Sequence, residues 1–266
     1  MNILVTNDDG FQSPSLPILC AELNKEHKVK LVVPTYEQSA VGQAISLHKS
    51  MTYQVLEGYE IPSFKLDGSP SDCVKFSVCH LFKNEKIDLV ISGINPCENA
   101  GLSALYSGTV AGAREGATWG IPAIAISVWD GSLEKAKIAA KWLVNFLQKL
   151  HVADFPKGVF WNINSPNCEY HDVAGVRIAS MGEVMFKDHY VEYITPRKVP
   201  EYWLAGVKCN EQFLNQTDDY FLSQNYITIT PLQINQTSWQ EMKRLEQLQS
   251  TFDELPACSD IQSNIR

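Results

Sequence analysis

The first ten residues place two adjacent carboxylates directly after an apolar run. The run "ILVT" is followed by Asn7, Asp8, Asp9 and Gly10. Two like charges about 4 Å apart repel by roughly 4 kcal/mol at an effective dielectric constant of about 20. Full solvation on a surface turn, shared protonation or a bound cation would each offset this repulsion. Asp-Asp-Gly is also an ordinary turn sequence, so the surrounding sequence has to decide among these explanations.

Two further loops supply oxygen atoms of the kind that bind hard cations. Ser39 follows the second predicted strand, and Asn95 follows the apolar run "DLVIS". Loops at the carboxyl ends of parallel strands gather on one rim of the sheet, so we expect these residues to meet Asp8 and Asp9 there. Two carboxylates, a hydroxyl and an amide oxygen suit Mg²⁺, Mn²⁺ or Ca²⁺. Each residue taken alone is equally well explained as a turn, capping or loop residue.

The segment "YSGTVAGAREG" predicts a place for a phosphate group on the same rim. Ser107, Gly108 and Thr109 open a predicted helix, and the free N–H groups and positive dipole end at a helix N-terminus attract anions. The segment lacks the Walker A spacing, and a simple N-cap explains Ser107 equally well when that residue is taken alone. Beside a carboxylate-bound cation the phosphate explanation becomes stronger, because both groups would stabilise phosphoryl charge.

The hydrophobic pattern predicts an α/β fold with a mostly parallel sheet covered by helices on both faces. Continuous apolar runs predict strands at residues 3–6, 29–33, 88–92, 123–128 and 159–163, with two extended pieces within residues 51–66. Helical periodicity predicts helices at residues 14–23, 71–82, 109–118 and 133–150, with Ser71 as the cap of the second.

The pattern changes after about residue 165. Short β-branched and aromatic segments, "VRIASMG", "HYVEYIT", "EYWLAG" and "NYITITPL", predict antiparallel hairpins or an extended arm, followed by a helix at residues 238–255. We therefore expect a catalytic core over residues 1–165. Residues 166–266 are expected to hold the arm, a strand that returns to the core and the C-terminal helix.

Composition excludes several classes of partner. The chain has 266 residues, 45% of them hydrophobic, and a net charge of −8 without any run of Lys or Arg. This charge disfavours duplex nucleic acid and anionic membranes as partners. The sequence shows neither a signal-peptide pattern nor an apolar run of membrane-spanning length, so we expect a cytoplasmic protein. Seven scattered cysteines without a C-x-x-C pair indicate neither a disulfide framework nor a thiolate zinc site.

The chain resembles the SurE family of stationary-phase survival proteins over most of its length. The resemblance is carried, in one order, by "ILVTNDDG", "VVPTYEQSAVGQAISL", "DGSPSDCV", "DLVISGIN", "YSGTVAGAREG", "GIPAIAISV", "NINSP" and "ITITPL". It implies a 5'-nucleotidase that depends on a divalent metal and acts on nucleoside monophosphates. It also implies a Rossmann-like core whose protruding C-terminal region exchanges between the subunits of a homodimer, with dimers sometimes pairing into tetramers.

The resemblance also implies roles for individual residues. It places the metal ligands on Asp8, Asp9, Ser39 and Asn95, and the phosphate contacts on Ser107, Gly108 and Thr109. The cofactor would be one divalent ion, with Mg²⁺ or Mn²⁺ preferred over Ca²⁺ and others. From these assignments we predict catalytic roles for Asp8, Asp9 and Ser107, and substrate contacts from Asn7, Asn95, Ser107, Gly108 and Thr109.

The chain departs from the family pattern at one loop. The family usually reads G-x-N-x-G-x-N-x-G-D-D, whereas this chain reads "GINPCENAGLS", with Cys97 for a glycine and Leu102 and Ser103 for two acidic residues. These changes are expected to alter the shape and charge of the loop. They also keep an alternative open, a non-catalytic nucleotide- or metal-binding module of the same fold. Asp72 in "GSPSDC" is predicted either to position substrate or to stabilise the first turn of a helix.

Two other enzyme classes are disfavoured by motifs that the sequence lacks. A dinucleotide-dependent oxidoreductase would carry G-x-G-x-x-G after its first strand, where carboxylates would repel a pyrophosphate. A serine hydrolase of the α/β class would carry a G-x-S-x-G elbow, which does not occur in the chain.

Overall fold

The fold is organised around one large, mostly parallel sheet. The computed structural model describes residues 1–129, 131–184, 186–209 and 213–249. Within these ranges the strands are β1 (Asn2–Thr6), β2 (Lys28–Pro34), β3 (Tyr53–Val55), β4 (Ser63–Leu66), β5 (Leu89–Asn95), β6 (Ala123–Val128), β7 (Val159–Ser165), β8 (Gly175–Ile178), β9 (Phe186–Ile194), β10 (Pro200–Lys208) and β11 (Tyr226–Gln233). Nine of these described strands form one sheet in the order β3-β4-β2-β1-β5-β6-β7-β11-β8, and β9 pairs only with β10.

Helices cover both faces of the sheet. The helices before residue 235 are α1 (Ser15–Asn24), α2 (Pro70–Phe76), α3 (Ser103–Tyr106), α4 (Gly108–Thr118), α5 (Leu133–Leu147) and α6 (Asp218–Leu222), and α7 (Trp239–Glu246) follows them in the chain. Ile3 and Val5 of β1 pack into the core cluster that contains α1 and α5. Leu4, which points to the opposite face, packs with α2 and α4. This alternation in a strand that is apolar throughout confirms the prediction of a sheet buried on both sides.

The strand order reverses beside β1. From β1 the chain proceeds to β2 and β4 on one side, and it then returns to the other side of β1 with β5, β6 and β7. β1 is parallel to both β2 and β5. The carboxyl ends of β1 and β5 therefore flank a topological switch point, which is where open α/β sheets bind ligands. Asp8 and Asp9 follow β1 at this point, and Asn95 is the last residue of β5.

The N-terminus of α2 differs from the prediction, because Ser69 and not Ser71 is its cap. The Ser69 hydroxyl accepts a hydrogen bond from the Asp72 N–H at 3.1 Å, and the Asp72 carboxylate accepts one from the Ser69 N–H at 3.0 Å. Pro70 occupies the first helical position, where its missing N–H costs nothing, so the cap must precede it. The predicted single helix also divides, since a π-helical turn at Ser77–Leu81 follows α2.

The region after residue 165 contributes to both sheets. β11 pairs antiparallel with β7 and parallel with β8, so two of the predicted arm segments enlarge the central sheet. β9 and β10 form the predicted antiparallel hairpin. By density of contacts the chain divides into two units, Met1–Ile234 and Asn235–Arg266. The predicted helix at residues 238–255 is found as α7, and its predicted part from residue 250 onward lies outside the described residues.

Four aromatic side chains of the β9–β10 hairpin are more than half exposed. Tyr190, Tyr193, Tyr202 and Trp203 are 70%, 52%, 60% and 67% exposed. Aromatic residues of this kind are enriched in protein interfaces. None of the helices in the described part of the chain is long and apolar enough to cross a membrane.

We expect the hairpin to carry a subunit interface. The wild-type protein should sediment as a homodimer or larger, and the double variant Tyr202→Ser/Trp203→Ser should shift towards monomer. Loss of two aromatic anchors should raise the dissociation constant by about thirtyfold or more, the effect of one interface hot spot. Tyr170→Ser, which removes an exposed aromatic ring outside the hairpin, is the matched control. A wild-type protein that sediments as a monomer would refute this expectation.

Candidate metal and phosphate site

The turn after β1 is held in place by a buried side chain. Asn7 is completely buried, and its Nδ2 donates to the Gly10 carbonyl at 3.0 Å. Gly10 has a φ of +84°, and a Cβ there would lie 3.0 Å from the backbone carbon of Tyr36, so the turn requires glycine. The structure thus directs the amide of Asn7 into the turn itself, and its predicted contact with phosphate stays a prediction.

Asp8 binds the N-terminus of α4. One carboxylate oxygen accepts the Thr109 N–H at 2.9 Å, and the other accepts the Thr109 hydroxyl. The Asp8 carbonyl accepts the Gln38 N–H at 2.7 Å. A Cβ on Gly108 would lie 2.7 Å from the Asp8 Cβ and 2.8 Å from the Gln38 carbonyl oxygen. The end of β1, the loop after β2 and the start of α4 therefore meet at one point, as predicted for a shared rim.

The two carboxylates are held in an environment that disfavours their charge. Burial raises the pKa of Asp8, and the Thr109 hydrogen bonds lower it only in part. Burial and then the charge of Asp8 raise the pKa of Asp9 to about 7. Among the described residues, no Lys, Arg or His forms an ion pair with either carboxylate. A bound cation would supply the missing positive charge.

Asn95 and Ser39 each have an oxygen atom that can act as a metal ligand near the carboxylates of Asp8 and Asp9. The Asn95 Nδ2 donates to the Cys97 carbonyl at 2.6 Å, so its amide oxygen is directed away from that contact. The exposed Ser39 hydroxyl donates to Glu37 Oε1 at 2.6 Å and keeps its lone pairs. Burial, then the charges of Glu98 and Asp9, raise the pKa of the Cys97 thiol. Asp9 lines the same cavity as Ile94 and Pro96, so the loop after β5 is close to Asp9.

These donors fit a hard divalent cation better than a soft one. In the described part of the chain, no three His, Cys, Asp or Glu side chains form a metal-binding group. The candidate ligands are instead two carboxylates with hydroxyl and amide oxygens, a set that Mg²⁺, Mn²⁺ and Ca²⁺ complete with water. The buried Asn7 Oδ1, which has no hydrogen-bond donor among the described residues, adds one more acceptor oxygen to this turn.

The three residues predicted to bind phosphate, Ser107, Gly108 and Thr109, do not all make the same kind of contact. The Ser107 hydroxyl accepts the Val110 N–H at 3.1 Å, so Ser107 is the N-cap of α4. Its hydroxyl hydrogen and the Gly108 N–H, at the first helical position, have no partner further back in the helix. Both donors of Thr109 are directed to Asp8. Ser107 and Gly108 are therefore better placed to donate to phosphate than Thr109, which fixes a predicted metal ligand.

Ser107→Ala should lower kcat/KM for a phosphate ester and leave metal affinity close to wild type. The loss of one hydrogen bond to a charged group, about 1.5–3 kcal/mol, corresponds to a decrease of roughly tenfold to a hundredfold. The variant also loses a helix cap, worth about 1 kcal/mol. Ser238→Ala, which removes the cap of α7, controls for that loss. A large change in Mn²⁺ affinity in Ser107→Ala would argue against the separate tasks of phosphate and metal binding.

Asp72 holds the loop that carries Ser39. Besides capping α2, its carboxylate accepts the Ser46 N–H at 2.9 Å and the Ser46 hydroxyl at 2.8 Å. Ser69 adds a hydrogen bond to the Ala44 carbonyl at 2.5 Å. The capping explanation of Asp72 is therefore confirmed, and the same side chain also anchors the loop at Ser46 against α2.

A buried polar network lies below the loop that follows β5 and was not predicted from the sequence. Asn99 donates its N–H to Asn164 Oδ1 at 2.7 Å and its Nδ2 to Ser127 Oγ at 2.9 Å, and its carbonyl accepts Asn162 Nδ2 at 2.7 Å. A possible sequence signal was "NINSP", where two asparagines two residues apart share one face of β7. The network holds the loop at the rim.

A cavity of about 230 Å³ opens beside Asp9. Six of the residues that line it are Asp9, Gln12, Ser13, Ile94, Val128 and Leu133. Its wall is mainly apolar, with polar groups near Asp9, so it offers room for an organic group next to the candidate metal ligands.

Comparison with known proteins identifies the family. Residues 3–188 match the family model described as "Survival protein SurE". The chain belongs to the SurE family. The 5'-nucleotidase SurE of Thermosipho africanus is 36% identical over 250 residues, which cover 93% of this chain and 97% of that protein. The 5'-nucleotidase SurE of Desulfatibacillum aliphaticivorans is 38% identical over 251 residues, covering 93% and 98% of the two chains.

A solved SurE structure shares the fold. The crystal structure of the SurE protein from Aquifex aeolicus superimposes with a TM-score of 0.79 at 30% identity, and covers 94% of this chain and 100% of that one. The resemblance found from the sequence motifs and the predicted α/β class are both confirmed.

Proposed function

We propose that this protein is a divalent-metal-dependent phosphomonoesterase that hydrolyses nucleoside 5'-monophosphates to nucleosides and inorganic phosphate. The observation that carries the proposal is the pair of carboxylates, buried Asp8 and half-buried Asp9, beside the N-terminus of α4. Within the described part of the chain no basic side chain forms an ion pair with either of them. The SurE relatives named as 5'-nucleotidases support this choice of reaction.

The proposed site assigns one task to each group. Asp8, Asp9, Ser39 and Asn95 would hold one divalent ion, with Mg²⁺ or Mn²⁺ preferred. When bound, that ion would polarise a phosphoryl oxygen and activate water. Ser107 and Gly108 would donate hydrogen bonds to the remaining phosphoryl oxygens, as suits the charge that spreads over them in the transition state.

The shape and charge of the molecule favour small monoesters. A net charge of −8 and the lack of a basic run disfavour long polyanions, which need an extended basic track. We propose that the nucleoside occupies the apolar cavity beside Asp9. The exposed rings of Tyr36 and Tyr106, which are 71% and 67% exposed, offer a second place for a base to stack.

A substrate panel tests the proposed reaction. Purified protein with Mg²⁺ or Mn²⁺ should release phosphate from AMP, GMP, CMP and UMP faster than from sugar phosphates of similar size, and EDTA should abolish the release. If the protein binds these nucleotides but releases no phosphate with any divalent ion, the alternative of a non-catalytic binding module replaces the proposal. The relatives, named as nucleotidases, do not favour that alternative.

We also propose a division of labour along the chain. Residues 1–165 would form the catalytic core. Residues 166–266 would return a strand to that core and provide, with the hairpin and the C-terminal helix, the surface for a homodimer or tetramer, with the C-terminal segment exchanged between subunits. The exposed aromatic side chains of the β9–β10 hairpin support this division. The cytoplasmic location expected from the sequence stays a prediction.

A further inference from the structure

The loop after β5 is joined to the β9–β10 hairpin by one buried ammonium group. Lys208 Nζ lies 3.1 Å from Glu98 Oε1 and 2.7 Å from Asp219 Oδ1. The side chains of Lys208, Glu98 and Asp219 are only 12%, 15% and 0% exposed. Burial lowers the pKa of Lys208, but Asp219 and Glu98 together raise it above its usual value. Lys208 is therefore charged and bridges two carboxylates from different elements.

The ion pair with Lys208 is the main interaction that stabilises the charge of Asp219. Its carboxylate oxygens accept no well-aligned hydrogen bond from the described residues, so the close contact with Lys208 is an ion pair of imperfect hydrogen-bond geometry. A Cβ on Gly101 would lie 2.3 Å from Asp219 Oδ2, and a Cβ on Gly182 would lie 2.4 Å from it. Asp219 is thus packed tightly against the loop that contains Glu98 and Gly101.

The neighbouring carboxylate fixes the far end of the same loop. Asp218 accepts the Gly101 N–H at 3.2 Å and the Gly182 N–H at 2.8 Å. The loop is therefore held at Glu98 by Lys208 and at Gly101 by Asp218. Asn95, at the near end, is bonded to the carbonyl of Cys97, the residue before Glu98. A displacement of Glu98 would be transmitted to Asn95 over a very short length of chain.

We propose that Lys208 is a positioning residue that holds Glu98 against α6 and thereby fixes the amide oxygen of Asn95 at the rim. This inference rests on the proposed function only through the role of Asn95 as a metal ligand. Without the ammonium group, two buried carboxylates would face each other unpaired, and breaking a buried pair on one side is strongly destabilising. The loop would move to separate or solvate them.

The test is a set of Mn²⁺ titrations in which free Mn²⁺ is measured by electron paramagnetic resonance. Lys208→Met should weaken Mn²⁺ binding by about tenfold to a hundredfold, the scale of a small misplacement of a site group. Lys208→Arg should restore much of the affinity, because a guanidinium can pair with both carboxylates. Arg197→Met removes a cation from the exposed turn of the same hairpin and should bind Mn²⁺ like wild type.

A double-mutant cycle separates positioning from general loss of structure. If Lys208 acts through Asn95, then Lys208→Met should have little further effect on Mn²⁺ affinity in an Asn95→Ala background. Equal effects in both backgrounds would overturn the proposal. If Lys208→Met does not fold, Glu98→Gln replaces it, and wild-type affinity in that variant would likewise overturn the proposal. A wild-type protein that binds Mn²⁺ but hydrolyses no nucleotide would refute the proposed function and leave this inference standing.

Discussion

Asp9→Asn should abolish nucleotide hydrolysis while the metal-free protein stays folded. Loss of a residue that hydrogen-bonds to a metal ligand typically costs about tenfold to a hundredfold, so loss of a direct ligand should cost more than about a hundredfold in kcat/KM. From the described residues the Asp9 side chain accepts a single, long hydrogen bond, from Ser13 at 3.4 Å, and burial followed by the charge of Asp8 raises its pKa. Removal of the Asp9 charge therefore relieves repulsion, and the melting temperature of the metal-free protein should stay the same or rise.

Asp8→Asn should lose as much activity as Asp9→Asn, but, unlike Asp9→Asn, it should destabilise the metal-free protein. Both Asp8 oxygens accept hydrogen bonds from Thr109, and an amide nitrogen in place of one oxygen would face a donor. The metal-free variant should be less stable by about 1–3 kcal/mol, the cost of an unsatisfied buried polar group. Asp154→Asn, at an exposed carboxylate, is the control for both variants. Full activity in Asp8→Asn and Asp9→Asn would refute the carboxylate site.

Gly108→Ala should lower kcat/KM by about a hundredfold or more. The added Cβ would lie within 3 Å of the Asp8 side chain and of the Gln38 carbonyl oxygen, and a backbone carbonyl cannot rotate away as a flexible side chain can. Alanine is a better helix former than glycine, so a loss cannot come from helix propensity. A displacement of about 1 Å at such a site costs on the order of a hundredfold.

Gly116→Ala is the matched control on the same helix. Its Cβ would lie 3.0 Å from the Val90 side chain, in the core and more than two helical turns along α4 from Gly108. Overpacking there should reduce stability by about 1–3 kcal/mol and leave kcat/KM of the folded protein close to wild type. Equal activity in Gly108→Ala and wild type would show that the contact between α4 and Asp8 is not needed for the reaction.

The central sheet could be predicted from the sequence because its strands are short, continuous runs of apolar residues. The run "DLVIS" has three consecutive large apolar residues, Leu89 to Ile91, which predict a strand buried on both faces, and the structure places these three residues at the start of β5. The boundaries of α2 were less predictable. Ser69, Ser71 and Pro70 compete for the start of the helix, and only the reciprocal bonds with Asp72 decide in favour of Ser69.

The sequence predicted which residues belong to the candidate site, but it did not predict the contacts that their side chains make. Parallel strand ends indicated that the loops of Asp8 and Asn95 would share a rim, because that follows from sheet topology. The direction of a side chain does not follow from topology. That Thr109 turns both donors to Asp8 depends on the close packing of Gly108. The ion pair between Lys208 and Glu98 could not be predicted either, because the two residues are far apart in the chain and sequence periodicity does not relate them.

The most direct test of the metal site is a crystal structure with Mn²⁺, measured for anomalous scattering near the manganese absorption edge. We expect one strong anomalous peak between Asp8 and Asp9, at about 2.0–2.6 Å from oxygens of both carboxylates and of Asn95, as hard divalent ions require. Ser39 should contribute its hydroxyl directly or through a water molecule. A peak held by other residues, with none between Asp8 and Asp9 at saturating Mn²⁺, would refute the proposed metal site.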